Sequence, residues 1–137
     1  METITSEKDI KVFYITAKSF PDGIMEAHQK LHALVPPSTN RKYFGISRPE
    51  NGVIVYKAAA EEINKGEAEK LNCETLILKK GKYTSLAIND FTKDIHSIDR
   101  AFKKLLTYPG LDPEGYCAEW YLNDKDVKCM IRLRNDD

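Results

Sequence analysis

The stretch RKYFGISRPENGVIVYKAAA, residues 41–60, reads as two β-strands closed by a four-residue loop, Pro49-Glu50-Asn51-Gly52. YCAEWYLNDKDVKCMIRLR, residues 116–134, has the same form around Asn123-Asp124-Lys125-Asp126. Aromatic and β-branched residues favour a pleated, half-buried surface, and Gly, Pro, Asn and Asp clusters favour tight reversals. Working outward from each hairpin, the same elements precede both. IKVFYITA (10–17) reads as a strand, and PDGIMEAHQKLHALV (21–35) as a helix with Ile24, Ala27, Leu31 and Leu34 at helical spacing. PPSTN stops that helix. YTSLAIND (83–90) is again a strand, DIHSIDRAFKKLL (94–106) a helix with Ile95, Ile98, Phe102 and Leu105 on one face, and YPGLDPEG the stop. CETLILKK (73–80) is an extra strand that turns through Gly81-Lys82.

The order of elements is matched by the residues. Phe20, Ile24, Leu31, Leu34 and Val35 align with Phe91, Ile95, Phe102, Leu105 and Leu106 at one constant offset. Past the helix the offset grows by three residues and then holds, so that Arg48 and Val53 align with Leu122 and Val127. One β-α-β-β unit is used twice, a period too long for a solenoid. The fold class that follows is α+β: a duplicated β-α-β-β unit with pseudo-two-fold symmetry, an antiparallel sheet with two helices on one side, and a central ligand cleft. A length of 137 residues suits one domain. Repeat one spans about 8–60, a polar linker 61–72, and repeat two about 73–135.

Side chains alternate across a strand, so each hairpin has two faces. Symmetric closure of both loops places Leu122 opposite Val127, Trp120 opposite Cys129 and Ala118 opposite Ile131, an apolar face expected to pack on the helices, with Trp120 in the core. The other face then carries Cys117, Glu119 and Tyr121 opposite Arg132, Met130 and Lys128. Its counterpart in the first hairpin carries Tyr43, Gly45 and Ser47 opposite Ala58, Tyr56 and Ile54. Gly45 leaves space at the position equivalent to Glu119. A slip of one residue reverses these assignments. Aromatic faces attract cations, and a partly desolvated carboxylate gains from a cationic or hydrogen-bond-donating ligand. A cross-strand pair of Glu119 with Lys128 or Arg132 is the competing reading.

Composition narrows the alternatives. Lys plus Arg equals Asp plus Glu at 21 each, which is not the basic footprint of a nucleic-acid binder. The cluster Lys79-Lys80-Gly81-Lys82 reads as a solvated turn rather than a phosphate site. No secretory signal pattern or apolar run of about 20 residues is present, so a cytoplasmic protein is expected. Cys73, Cys117 and Cys129 have no disulfide or zinc spacing. His28 and His32 sit four apart on a helix without a third ligand and read as helix-surface histidines. No metal or cofactor is expected.

The ordered set Tyr43-Phe44-Gly45, Tyr56 with the small residues after it, Gly81-Lys82-Tyr83 and Glu119-x-Tyr121 resembles the GyrI-like small-molecule-binding domain, the effector-binding domain of multidrug-responsive transcription regulators. The resemblance covers roughly residues 8–134. It implies a duplicated β-α-β-β fold with a central cleft, and a cleft acid in the E-x-Y pattern, here Glu119, that contacts cationic drugs. Ligand-binding positions implied or suggested by the aromatic face are Glu119, Tyr56, Tyr43, Tyr83, Tyr121 and Met130. The chain begins almost directly with its first strand and leaves no room for a preceding helix-turn-helix, so direct DNA binding is not expected. Members without that domain are similar to a gyrase-inhibitory protein, and some resemble hydrolases of cyclopropane-containing genotoxins.

Three functions compete. A binding module for lipophilic or cationic small molecules needs only the cleft, its aromatics and one acid. A hydrolase needs Glu119 as general base and Tyr56 or Tyr83 as hydrogen-bond donor to the leaving group. Nothing in the chain has a Ser-His-Asp, G-x-S-x-G or metal-ligand pattern. A protein-binding role, such as gyrase modulation, would draw on Glu61, Glu62, Glu67 and Glu69, which otherwise read as a polar linker. The binding module is the preferred reading and the hydrolase the second.

Overall fold

Asn51 and Gly52 both adopt positive φ, 54° and 82°, and close the first hairpin as a two-residue turn. This is the loop length and residue pair that a right-twisted hairpin favours. The strands therefore extend further than the sequence suggests, with Pro49 and Glu50 inside the ladder opposite Ile54 and Val53. The structure is a computed structural model and describes residues 1–134 apart from Pro37, Thr39 and Ile95. The chain runs β1 (Glu2–Ser6), β2 (Ile10–Thr16), α1 (Ile24–Leu34), β3 (Tyr43–Glu50), β4 (Val53–Glu61), the one-turn α2 (Glu67–Lys70), β5 (Glu74–Leu78), β6 (Gly81–Ile88), a 3-10 turn (Phe91–Lys93), α3 (Ser97–Leu105), β7 (Cys117–Tyr121) and β8 (Val127–Arg132). β1 and the turn α2 were not evident in the sequence. Ile95, expected on the face of the second helix, lies outside the described residues.

All strands pair antiparallel in one sheet of order β1-β6-β8-β7-β3-β4-β2-β5. The order is symmetric about the β3–β7 pair: β4 and β2 lie on one side, β8 and β6 on the other, and β5 and β1 are the edges. The sheet cannot be flat. Lys79 and Lys80 alone join β5 to β6, a reach of about 11 Å. Six strand spacings would hold those strands about 29 Å apart in a flat sheet. The short β1–β2 connection makes the same demand, and the two connections meet where the Lys80 N–H donates to Asp9 Oδ1 at 2.8 Å. The sheet is accordingly curled into a half-barrel.

Curling divides the core in two. On the outer face, α1 packs through Ala27 and Leu31 on Phe13, Ala58 and Ala60. α3 packs through Ala101 and Leu105 on Val127, Cys129 and Ile131. On the inner, helix-free face, Val12 and Leu78 from one end meet Tyr83 and Met130 from the other around Phe44, Ile46 and Ala118. Burial of these apolar groups on both faces supplies the main driving force.

The second hairpin departs from symmetric closure. Five residues, Leu122 to Asp126, connect β7 to β8, with the Leu122 N–H donating to the Asp126 carbonyl. Asn123 Oδ1 accepts from the N–H groups of Lys125 and Asp126 and shapes the loop. The extra residue shifts the register by one: Tyr121 pairs with Val127, Glu119 with Cys129 and Cys117 with Ile131. Glu119, Cys117 and Tyr121 therefore face the helices, the reverse of the sequence expectation. Trp120, expected in the helix-side core, turns to the inner face against Phe44. Leu122, also expected in that core, is 44% exposed.

Candidate functional site

The β3–β7 pair brings Gly45 opposite Glu119, Tyr43 opposite Tyr121 and Ser47 opposite Cys117. Gly45 is needed here for space. A Cβ at this position would lie 2.0 Å from the Tyr56 hydroxyl and 2.6 Å from Glu119 Oε1. Those two groups meet over the bare backbone, on the outer face between α1 and α3.

Glu119 Oε1 accepts from the Tyr121 hydroxyl at 2.5 Å and from the Tyr56 hydroxyl at 3.1 Å. His28, on α1, places Nε2 2.8 Å from the Tyr56 oxygen. Tyr56 has one proton, which it gives to Glu119, so His28 donates from Nε2. The chain of donors runs inward from helix to carboxylate. Glu119 Oε2 accepts no hydrogen bond from the described residues. Phe20 stacks on Tyr56 with ring centroids 6.1 Å apart, and Phe91 lies 5.7 Å from Tyr121. His28 contacts both tyrosine rings edge-on.

The electrostatics follow from burial. Desolvation raises the Glu119 carboxyl above its usual range, and the two tyrosine bonds only partly oppose this. Burial beside the carboxylate pushes the Tyr56 and Tyr121 hydroxyls up, so both remain donors. Desolvation, with His32 as a second cause, lowers the His28 imidazole to about 4 and keeps it neutral at physiological pH. The thiols of Cys117 and Cys129 are pushed up to about 11 and about 12 by burial and then by Glu119. Neither supplies a thiolate nucleophile. Among the described residues no three His, Cys, Asp or Glu side chains group as a metal site.

The cross-hairpin ion pair weighed for Glu119 does not form. The Lys128 ammonium sits 5.8 Å from the centre of the Trp120 ring, on the inner face. Arg132 donates to Asp112 at 3.0 Å and to the Lys80 carbonyl. Of the six residues singled out from the sequence, Glu119, Tyr56 and Tyr121 come together. Tyr43 shares their face, but its hydroxyl donates to the Pro36 carbonyl and accepts from the Ser38 N–H, away from the carboxylate. Tyr83 and Met130 lie on the inner face, and the Tyr83 hydroxyl donates to the Lys79 carbonyl. Tyr83 is thus no partner for Glu119.

His28, Phe20 and Phe91 were missed as site residues. For the two phenylalanines the signal existed, since the repeat aligns Phe20 with Phe91. His28 carried none, because a histidine on an amphipathic helix looks the same whether it faces water or a buried tyrosine. Two of the four linker acids are neutralised within the chain: Glu62 pairs with Lys11 at 3.0 Å and Glu67 with Arg41 at 2.9 Å. No helix of the described residues is long and apolar enough to cross a membrane.

No protein-family model and no curated protein matches the chain. Solved structures do match. An integron cassette protein from the mobile metagenome of Vibrio cholerae has a TM-score of 0.70 at 12% identity, over 97% of this chain and 95% of that one. SAV2435 bound to tetraphenylphosphonium has a TM-score of 0.64 at 10% identity, over 98% and 95%. A hydrolase from Listeria innocua has a TM-score of 0.58 at 13% identity, over 97% and 90%. At these identities the likeness is one of fold.

Proposed function

We propose that this protein binds lipophilic cations through Glu119, on the face of the sheet between α1 and α3. The observation that carries this reading is the state of Glu119: a half-buried carboxylate held above its usual range, bonded through one oxygen to neutral tyrosines and paired with no cation among the described residues. Such a group gains from a cation that arrives without a tight hydration shell. Phe20, Tyr56, Tyr121 and Phe91 present ring surface to planar or aryl ligands. Phe20 is 47% exposed and stacks over Tyr56, so a ligand reaches the Tyr56 ring by displacing Phe20. The capture of tetraphenylphosphonium by SAV2435, which shares the fold, supports this class of ligand.

Thermal unfolding against tetraphenylphosphonium, other aryl cations and uncharged analogues of the same size tests the reading. Ligand at about 100 times its dissociation constant adds ~2.7 kcal/mol of stability. Cation-selective stabilisation supports it; equal effects of charged and neutral ligands contradict it.

Hydrolysis is the second reading, favoured by the hydrogen-bonded order His28–Tyr56–Glu119. Glu119 would take a proton from the attacking water while Tyr56 gives its own to the leaving oxygen; Glu119 then returns the captured proton to Tyr56 along their hydrogen bond, and neutral His28 holds the Tyr56 hydroxyl in place. A structural neighbour described as a hydrolase is consistent with it. Turnover that is lost in Glu119→Gln and Tyr56→Phe alike is its signature.

A further inference from the structure

The inner face of the half-barrel holds a cavity of about 250 Å³ on the side of the sheet away from Glu119. Its walls come from both ends of the curled sheet, through Ile4, Leu78, Tyr83 and Met130, and from its central pair, through Phe44 and Trp120. Eight strands curled this far leave interior room for one small ligand, as closed barrels of that size do. The volume corresponds to about eight waters, or an apolar body of roughly eight to ten heavy atoms. Water in it would meet few polar partners along these walls.

Charge at its margin selects the ligand's sign. Lys8 and Lys42 line it, against the single carboxylate of Glu7. Neither lysine forms an ion pair among the described residues. The ammonium groups of Lys42 and Lys128 lie 6.0 Å and 5.8 Å from the centre of the Trp120 ring. Lys42 and Trp120 project to this face because they alternate with Tyr43 and Tyr121 along their strands. From this we infer that the half-barrel interior binds an amphipathic monocarboxylate, its medium-length alkyl or aryl body among Phe44, Leu78 and Met130 and its carboxylate at Lys42. The site has the opposite charge preference to the one proposed at Glu119 and does not depend on that reading.

Trp120 is the chain's single tryptophan and lines this cavity, so its emission reports on this site. Octanoate is titrated into the protein, with octanol and octyltrimethylammonium as uncharged and cationic controls. The expected result is a saturable change in Trp120 emission with octanoate, binding about tenfold weaker for octanol, and no saturable change for the cation. Lys42→Glu weakens octanoate about tenfold or more. Leu78→Phe, or Ile4→Phe should the first variant unfold at a lower temperature than the wild type, fills the cavity and abolishes the response. Glu119→Gln leaves it intact. The inference is overturned by equal affinity for the three probes, by an unchanged affinity in Lys42→Glu, by no saturable response at all, or by loss of binding in Glu119→Gln.

Discussion

Gly45 and Glu119 pair directly across β3 and β7, and they are also equivalent positions of the two repeats. The alignment that matches Arg48 with Leu122 matches Gly45 with Glu119, so the pseudo-two-fold axis passes between them. Two acids there would face each other at the distance of a strand pair, and one would be forced to hold its proton. One acid and one empty position give a single carboxylate at the centre of the molecule, with room for the tyrosines that hold it.

Filling that room is costly. Gly45→Ala sets a Cβ 2.0 Å from the Tyr56 hydroxyl and 2.8 Å from its Cζ, on a fully buried ring that has nowhere to go. The expected loss is about 1–3 kcal/mol, as for other overpacked cores. Urea unfolding measures it, and an unchanged midpoint would show that Tyr56 is not held over Gly45.

Glu119 lowers stability at neutral pH. Its carboxyl is raised in the folded protein by burial, so the folded state holds the proton more tightly than the unfolded chain. Below the unfolded value of 4.5 both states are protonated and nothing is lost; as pH rises through the raised folded value, stability falls and stays down. Glu119→Gln keeps an acceptor for both tyrosines and does not titrate. It is expected to be more stable than the wild type at pH 7, with the difference closing as pH drops below 4.5. Unfolding curves at several pH values decide this, and a variant less stable than the wild type at pH 7 contradicts it.

His28 acts in the opposite sense. Its folded value of about 4 lies below the unfolded 6.5, so its contribution is complete above 6.5 and is lost as pH falls toward 4. The full effect is about 3 kcal/mol. Measured in a Glu119→Gln background, where the carboxyl no longer titrates, His28→Gln removes this acid limb. Curves of equal slope with and without His28 would show that the imidazole is not desolvated.

Arg41 and Glu67 form a bidentate pair, at 3.0 Å and 2.9 Å, that ties β3 to the linker turn. The Arg41 guanidinium and the N–H groups of Asn64 and Ile63 hold the Glu67 carboxyl at about 2. Its contribution is present above the unfolded value of 4.5 and lost as pH falls toward 2. Arg41→Met leaves Glu67 without its cation and is expected to cost about 1–2 kcal/mol at pH 7, less at pH 3. A small, pH-independent loss in chemical denaturation would mean that the pair is merely a surface contact.

Strand and helix order was legible because period and punctuation agree: Ala27 and Leu31 are spaced for a helix, and Asn51-Gly52 for a hairpin. The duplication was legible from the same residues. The faces were not. Along β7 both sets, Ala118 with Trp120 and Cys117 with Tyr121, are apolar enough to be buried, because the half-barrel buries both faces of its sheet. With no polar face to mark solvent, hydrophobic pattern cannot fix register, and a five-residue loop looks like a four-residue one. This is why Trp120 and Glu119 exchanged sides and why Met130 was placed on the face of Glu119; Tyr83 was assigned by the family resemblance and not by the register. β1 escaped notice because ETITS is short and polar at an edge. The pairing of Glu119 with Tyr121 and Tyr56 survives the change, since the β3–β7 and β3–β4 pairings together place all three on one face.

The central claim concerns the carboxylate of Glu119 and is tested most directly by calorimetric titration of tetraphenylphosphonium into the wild type and Glu119→Gln. A bound cation favours the ionised acid, so binding near the raised carboxyl value releases protons, and affinity grows as pH increases. The account predicts saturable binding to the wild type with heats that depend on the buffer's ionisation enthalpy, and binding to Glu119→Gln that is at least tenfold weaker with no proton release. Equal affinity for both proteins, independent of pH, would contradict it.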